Sequence, residues 1–177
     1  MIRLLDIFLA FSILILCLPI FFFISMVYVF KDGSIFFSQI RLGKNQKPFL
    51  IFKFRTMKVD TKSAGTHLVE KKSITKFGNI LRKTKLDELP QLINVFFGDM
   101  SFVGPRPCLL NQKKLISERK KRKVFKVRPG ITGLAQISGI DMKTPTQLAK
   151  IDQKMIKKMN LYKYFYYIFI TIFKLFK

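Results

Sequence analysis

Two adjacent carboxylates, Asp87 and Glu88, stand out in a chain of 177 residues that contains only 10 Asp and Glu. A third acid, Asp99, follows closely, and two segments rich in Gly and Pro, each with one arginine, come next at 104–107 and 128–133. Such rigid turns can present a guanidinium group and backbone N–H groups to a phosphate. Carboxylates can hold Mg²⁺ against the phosphate oxygens. The combination indicates phosphoryl chemistry.

Each of these features also has a purely structural explanation. Acids in the first turn of a helix complement its dipole, which contributes about 0.3–1 kcal/mol, and Gly/Pro turns are often only turns. Lys53 and Arg55 could be ordinary exposed residues of a strand. With one histidine, His67, and two cysteines, Cys17 and Cys108, the chain has neither a histidine-rich metal site nor a disulfide scaffold. Acid–base or nucleophilic chemistry therefore falls mainly on carboxylates.

The chain is strongly basic and strongly apolar at once. It has 33 Lys and Arg, a formal net charge of +23, and a hydrophobic content of 49% that includes 20 Phe. Disordered basic tails are poor in aromatic residues, so this composition indicates a folded protein. Its net positive charge indicates that this protein binds or acts on anions. Membrane lipids and phosphorylated substrates are both anionic partners of this kind. Nucleic acid is disfavoured, because the charge accompanies a membrane segment and no base-reading motif is present.

Residues 7–30 carry no formal charge, and as one helix they would reach about 36 Å, more than the roughly 30 Å hydrocarbon core of a bilayer. Pro19 removes a hydrogen bond near the middle and leaves two halves that are each too short to cross. Two topologies follow: a kinked span, or a broken helix that re-enters on the same membrane face. The residues alone favour the span, because transmembrane helices tolerate proline. In both cases the basic residues of 31–160 place that segment in the cytoplasm.

The C-terminal stretch 161–177 is rich in Tyr and Phe, but its uncharged part, 164–173, is too short to cross a bilayer. Lysines surround this part on both sides. The pattern predicts an amphipathic helix that lies in the headgroup region with its aromatic rings at the boundary. A core helix of the soluble domain is the alternative interpretation.

We therefore expect an α+β fold in three parts: a membrane segment (1–30), a small basic cytoplasmic catalytic domain (31–160) and an interfacial aromatic helix (161–177). Within the basic domain, β-rich runs at 34–40 and 49–56 flank a turn-like segment and predict a hairpin. A mixed polar segment after the hairpin, 58–72, is predicted to be a mobile loop.

Helical spacing in the basic domain predicts four helices, at 73–83, 86–97, 111–123 and 145–159. In the second helix, four apolar residues recur at steps of three and four and are expected to face the core: Leu86, Leu89, Ile93 and Phe97. Asp87, Gln91 and Asn94 would then share the opposite face. Thr84 is expected to cap this helix, which places the two carboxylates at the positive end of its dipole.

The block at 84–107, TKLDELPQLINVFFGDMSFVGPRP, resembles the signature of the bacterial sugar transferase family, the monotopic phosphoglycosyl transferases. Three other segments are similar to the family pattern: RLLD at 3–6, KFRTM at 53–57 and VRPGITGLAQ at 127–136. The short C-terminus resembles members that start capsular or surface polysaccharide synthesis.

The resemblance implies that sugar 1-phosphate passes from a UDP-sugar to polyprenyl (undecaprenyl) phosphate, with release of UMP. It implies that Asp87 is the nucleophile and holds the sugar phosphate covalently before the lipid phosphate displaces it. Asp87 and Glu88 would hold Mg²⁺, and Glu88 could instead meet the incoming lipid phosphate. The resemblance also implies a re-entrant membrane helix broken at Pro19, in place of the span.

By the same resemblance, Arg106 and Arg128 are candidates for the diphosphate or uridine end, and Lys53 and Arg55 for secondary phosphate contacts. The expected location is the cytoplasmic face of the inner membrane. The expected partners are the UDP-sugar, polyprenyl phosphate, anionic membrane lipid and downstream glycosyltransferases, without nucleic acid. The alternative function is a non-catalytic, membrane-bound module whose basic surface recruits polyanions or a partner enzyme.

Overall fold

The computed structural model describes residues 1–29, 34–58 and 73–174. The predicted loop at 58–72 falls outside the described residues from position 59 onward, and so does the part of the predicted C-terminal helix beyond residue 174.

The described residues form the α+β fold that the sequence predicts. Their helices are α1 (Ile2–Leu16), α2 (Leu18–Val29), α3 (Lys76–Lys83), α4 (Gln91–Phe97), α5 (Lys113–Lys121), α6 (Leu134–Ile137), α7 (Pro145–Lys157) and α8 (Leu161–Phe173). Their strands are β1 (Phe36–Leu42), β2 (Pro48–Phe54), β3 (Ser101–Val103) and β4 (Gly130–Thr132). Short 3₁₀ turns lie at Lys44–Gln46, Leu86–Glu88 and Val124–Lys126.

The apolar N-terminus is a bent pair of helices. Among the described residues no single helix is long and apolar enough to cross a bilayer, whereas α1 and α2, bent by 57° at their junction, have the required length and composition together. The break falls at Cys17, two residues before Pro19. Pro19 is the second residue of α2, where a missing N–H breaks no hydrogen bond within that helix.

Asp6 fastens α1 to the rest of the protein. Its carboxylate is 2% exposed, and its Oδ1 accepts hydrogen bonds from Ser101 Oγ (3.0 Å), Phe102 N (3.1 Å) and Tyr164 OH (2.8 Å). The first two donors belong to β3 and the third to α8. One carboxylate therefore joins three elements that are far apart in the sequence.

One face of α1 also belongs to the main hydrophobic core. Ala10 is fully buried in that core, and the Arg3 side chain donates to Val95 O (2.5 Å) and Phe96 O (2.6 Å) in the last turn of α4. These contacts supply donors to carbonyls at the end of the helix, where the regular hydrogen-bond ladder stops; Val95 O also accepts from Gly98 N at 3.2 Å. Leu4, on the other face of α1, is 72% exposed. The predicted membrane segment thus shares a core with the basic domain.

The predicted C-terminal helix is present, and its two faces differ. Tyr164 and Tyr167 are buried in the main core, whereas Tyr162 and Phe169 are 76% and 65% exposed. The helix therefore has both a core face and an exposed aromatic face.

The predicted hairpin is confirmed. Strands β1 and β2 pair antiparallel, from Phe36 opposite Phe54 to Leu42 opposite Pro48. A second pair was not predicted: β3 and β4 run parallel, with Ser101 opposite Gly130. Strands of three residues are too short to show the alternation that reveals a strand in a sequence.

We expect Asp6→Ala to lower the free energy of unfolding by about 2–4 kcal/mol, because three buried donors would lose their acceptor. Tyr164→Phe removes only one of these donors and should cost about 1.5 kcal/mol. Thermal and denaturant unfolding of the purified protein in detergent would measure both. Equal losses for the two variants would contradict the role of Asp6 as the common acceptor.

Candidate active site

A cavity of about 200 Å³ lies between the hairpin, α3, the turn at Leu86–Glu88, the loop that follows β3 and the first residues of β4. Seven cationic side chains and two carboxylates line it: Arg41, Lys53, Arg55, Lys58, Arg82, Lys85, Arg106, Asp87 and Glu88. An excess of guanidinium and ammonium groups around a concave surface favours a polyanionic ligand.

The register of the hairpin explains which of its side chains line this cavity. Phe37 lies opposite Lys53, and Gln39 lies opposite Ile51. Directly opposed residues of two antiparallel strands point to the same face, and all four line the cavity. Arg41 follows at the next position of the same alternation. Gln39 and Arg41 were not identified from the sequence, because the alternation of β1 assigns them to the face of Lys53 only once the register of the hairpin is known.

The two carboxylates lie in a short 3₁₀ turn at Leu86–Glu88, and α4 begins only at Gln91. The prediction of one continuous helix from residue 86, capped by Thr84, is therefore wrong. The Thr84 hydroxyl instead donates to Ile80 O and to Leu81 O at the end of α3. Pro90 accounts for the interruption, because it has no N–H to donate to the carbonyl four residues earlier.

The prediction of which residues of this helix face the core, and which lie on the opposite face, is wrong as well. Gln91 and Asn94 are only 3% and 1% exposed, whereas Phe97 is 77% exposed. Asn94 is buried because its amide completes the edge of β2: Oδ1 accepts from Phe52 N at 3.1 Å and Nδ2 donates to Leu50 O at 2.7 Å. A polar side chain that satisfies backbone groups can replace an apolar one in a core.

Glu88 forms ion pairs with two of the cations that line the cavity. Its Oε1 lies 2.6 Å from Lys53 Nζ and 3.4 Å from Arg106 Nη2. Burial alone would raise the pKa of Glu88, but Lys53 and Arg106 outweigh it and hold the pKa at about 2. Glu88 is therefore an anion at neutral pH with its charge already paired.

Asp87 differs from its neighbour. Its side chain is buried, and that burial raises the pKa of Asp87, with Lys53 opposing the shift and Glu88 adding to it. Among the described residues, the Asp87 carboxylate has no ion-pair partner within 4.0 Å. The site thus contains one neutralised carboxylate and, beside it, one that is not committed to a cation.

The two Gly/Pro/Arg segments pack together, backbone against backbone. Gly130 N donates to Pro105 O (2.9 Å) and Gly104 N donates to Thr132 O (2.8 Å). A Cβ atom on Gly130 would lie 2.0 Å from Gly104 N, so only glycine permits this approach. The two segments form one support, which we call the glycine platform (residues 104–107 and 128–133), and Arg106 projects from it into the cavity.

A buried ion pair supports the glycine platform. Arg119 of α5 and Asp152 of α7 are 2% and 0% exposed, and Arg119 Nη2 lies 2.8 Å from Asp152 Oδ2. Arg119 Nη1 also donates to Arg106 O at 2.8 Å. This pair was not identified from the sequence, because no spacing rule relates single residues on two separate helices.

The structure brings five of the six predicted site residues to one cavity: Lys53, Arg55, Asp87, Glu88 and Arg106. Arg128 lies apart. It lines a second cavity beside Arg3, and its Nε donates to Gly98 O at the C-terminus of α4 (2.7 Å).

The sequence also predicts Mg²⁺ at this site. The described residues contain no group of three or more His, Cys, Asp and Glu that could hold a metal ion. Mg²⁺ is commonly bound by one or two carboxylates together with substrate phosphates. Asp87 and Glu88 fit that mode of binding, with the remaining ligands supplied by a bound diphosphate and water.

Known proteins that are similar to this chain belong to the family that the sequence resembles. Residues 1–177 match the family described as bacterial sugar transferase. A Bacillus subtilis protein named uncharacterized sugar transferase EpsL is 45% identical over 138 residues, which cover 77% of this chain and 68% of that protein.

Two longer relatives carry the name UDP-glucose:undecaprenyl-phosphate glucose-1-phosphate transferase. The Escherichia coli protein is 39% identical over 181 residues, 96% of this chain, and the Klebsiella pneumoniae protein is 40% identical over 185 residues, 97% of this chain. The matched region spans 39% of the length of each of these two relatives.

We expect Arg119→Met to destabilise the protein by about 3–5 kcal/mol, because it leaves Asp152 buried without a counter-charge. The double variant Arg119→Met/Asp152→Leu removes both charges and should recover most of that loss. Denaturant unfolding of the parent, the single variants and the double variant would measure the coupling. A double variant that is no more stable than Arg119→Met would contradict this account.

Proposed function

Because the chain belongs to the bacterial sugar transferase family, we propose that it transfers sugar 1-phosphate from a UDP-sugar to polyprenyl (undecaprenyl) phosphate and releases UMP. The names of the two glucose-1-phosphate transferases support the reaction class. The observation that carries the proposal is the buried, uncommitted Asp87 in a cavity lined by seven cations. Membership of a transferase family favours this function over a non-catalytic membrane-bound module.

In the first step, a carboxylate oxygen of Asp87 attacks the β-phosphorus of the UDP-sugar. The bond from that phosphorus to the bridging oxygen breaks, and UMP leaves with the bridging oxygen. The sugar phosphate remains on Asp87 as an acyl phosphate, as expected of covalent catalysis by a carboxylate. An anionic nucleophile approaches an anionic diphosphate here, so the cations of the cavity are needed to offset the repulsion.

In the second step, an oxygen of the polyprenyl phosphate attacks the phosphorus of the acyl phosphate. The bond to Asp87 breaks and restores the carboxylate, and the product is a polyprenyl diphosphate sugar. Mg²⁺, held by Asp87 or Glu88 together with the diphosphate, would supply further neutralisation of phosphate charge. Lys53 and Arg106 keep Glu88 ionised and fixed in place. The lipid-linked product would be consumed by glycosyltransferases that extend a capsular or other exopolysaccharide.

We expect Asp87→Asn to lower UMP release from a UDP-sugar, in the presence of polyprenyl phosphate and Mg²⁺, by at least about 10³-fold. Asp141→Asn is the matched control, because Asp141 is exposed and does not line the cavity. Intact-protein mass spectrometry after incubation with the donor alone should show a sugar phosphate adduct on the parent and none on Asp87→Asn. UMP release by Asp87→Asn at the parental rate would contradict the assignment of the nucleophile.

The site must also meet a lipid substrate, and we propose that α1 and α2 form a re-entrant helix that places it on the cytoplasmic face of the bacterial inner membrane. The 57° bend between the helices supports this topology. So does the outer face of the pair, where Leu4, Phe8 and Phe22 are 67–73% exposed. The basic surface of the domain would then lie against anionic headgroups.

A single cysteine in a short extension ahead of Met1, in a Cys17→Ser/Cys108→Ser background, tests the topology. In intact cells a membrane-impermeant maleimide should not label it, and in inverted vesicles it should, because a re-entrant helix keeps its N-terminus in the cytoplasm. Labelling in intact cells would support the kinked span instead. A cysteine at the exposed Lys120 provides the control for a cytoplasmic position.

A further inference from the structure

A second cavity, of about 250 Å³, adjoins the glycine platform. Arg106, Gly130 and Ile131 of the platform line the active-site cavity. Gly104 and Arg128 of the platform line the second cavity. Not one of the described residues lines both. The second cavity is therefore a separate site, and the proposed reaction makes no use of it.

The charges around the second cavity favour an anion. Its lining contains one carboxylate, that of Asp6, and four cationic side chains: Arg3, Lys44, Lys126 and Arg128. Asp6 Oδ1 already accepts hydrogen bonds from Ser101, Phe102 and Tyr164. Among the described residues, none of the four cations has an ion-pair partner within 4.0 Å. The excess of positive charge is therefore available to a ligand.

The two guanidinium groups of this cavity lie at the C-terminus of α4. Arg3 donates to the carbonyls of Val95 and Phe96. Arg128 Nε donates to Gly98 O at 2.7 Å, and a Cβ atom on Gly98 would lie 3.1 Å from Arg3 Nη2. Both groups are thus held in place before a ligand binds, which lowers the entropy lost on binding. Arg128 Nη1 and Nη2 have no acceptor among the described residues, so they can donate to a phosphate.

The two lysines of the cavity are exposed, and they lie on the turns at Lys44–Gln46 and Val124–Lys126, which contact each other. The lining between the cations is partly apolar and includes Ile2, Val127, Ile156 and Met159. A cavity that combines cations with apolar side chains suits a phosphate that carries an apolar substituent better than it suits inorganic phosphate.

An exposed apolar surface leads from the outer face of α1 to the second cavity. The Phe96 ring lies 6.2 Å from the Phe11 ring of α1 and 5.5 Å from the Phe97 ring, measured between centroids. Phe97 is 77% exposed. It lies between Phe96 and Gly98, whose carbonyls the two guanidinium groups hold. An exposed aromatic side chain next to a cationic cavity is typical of a surface that meets lipid headgroups and the first part of the acyl chains.

We propose that the second cavity binds the phosphate of an anionic phospholipid, with Arg3 and Arg128 on the phosphate and Phe97 against the acyl chains. The proposal rests on the proposed placement of α1 in the membrane and does not depend on the transfer reaction. Because α1 begins at this cavity, a bound phospholipid would hold the start of the helix at the depth of the headgroups.

Native mass spectrometry of the protein in neutral detergent micelles, with phosphatidylglycerol added, tests the charges of the cavity. Lys44→Gln/Lys126→Gln should bind phosphatidylglycerol about tenfold more weakly than the parent. Lys113→Gln/Lys120→Gln is the matched control, because it removes the same charge from exposed positions that line neither cavity. It should stay within about twofold of the parent. Equal binding by both double variants would overturn the proposal.

The acyl chains are tested by Phe97→Ser, which should weaken phosphatidylglycerol binding by about fivefold. Phe97 is so exposed that the fold does not depend on its side chain. Phe22→Ser is the control, because Phe22 is 73% exposed on α2 and lines neither cavity. Unchanged binding by Phe97→Ser would overturn the proposed contact with lipid.

Competition distinguishes a phospholipid from a soluble phosphate. Neither glycerol 3-phosphate nor UMP should displace phosphatidylglycerol from the parent, and phosphatidylcholine, with its cationic headgroup, should bind about tenfold more weakly. Displacement by glycerol 3-phosphate would identify a simple phosphate site, and displacement by UMP would assign the cavity to the nucleotide. Either result would overturn the proposal.

Lipid binding requires no turnover, so the two proposals fail separately. A protein that binds phosphatidylglycerol in this way but releases no UMP would refute the proposed function alone. A protein that releases UMP but does not bind phosphatidylglycerol would refute the phospholipid site alone.

Discussion

The ion pair between Lys53 and Glu88 is the interaction on which the site depends. It joins the hairpin to the turn that carries both carboxylates, and through Arg106 it reaches the glycine platform. The two partners are 21% and 15% exposed, so water screens them less than an ordinary surface pair. Seven cations would otherwise repel one another around the cavity. By neutralising one carboxylate within this arrangement, the pair leaves the adjacent Asp87 available for the nucleophilic role that we propose for it.

Three separate supports bring these groups together, and each depends on a contact between distant parts of the chain. The amide of Asn94 joins α4 to the edge of β2. The close approach of Gly104 and Gly130 joins the two arginine-bearing segments. The Arg119–Asp152 pair then holds the backbone of Arg106 from the opposite side. The position of one guanidinium at the surface of the cavity is therefore set by charges buried behind it.

Local patterns in the sequence were enough to predict the hairpin and the helices α3, α5 and α7, because each depends on residues that are close together in the chain. The same patterns failed where tertiary contacts decide. Asn94 is polar and buried, since its partners are backbone groups of a strand more than forty residues away. Thr84 does not have its predicted capping role because it ends α3, and its hydroxyl donates to carbonyls of that helix instead. Arg41 and Arg82 are unremarkable in sequence, and only the register of the hairpin and the packing of α3 place them beside Asp87.

The bond between Asp6 and Tyr164 joins residues 158 positions apart, and this has a consequence for biosynthesis. When α1 leaves the ribosome, the strand and the helix that supply the donors to Asp6 have not been made. Until those donors have been made, the Asp6 carboxylate has to stay in water or among lipid headgroups, since an unpaired charge in hydrocarbon is costly. The full set of three hydrogen bonds to Asp6 is therefore completed late in assembly, after α8 has been translated.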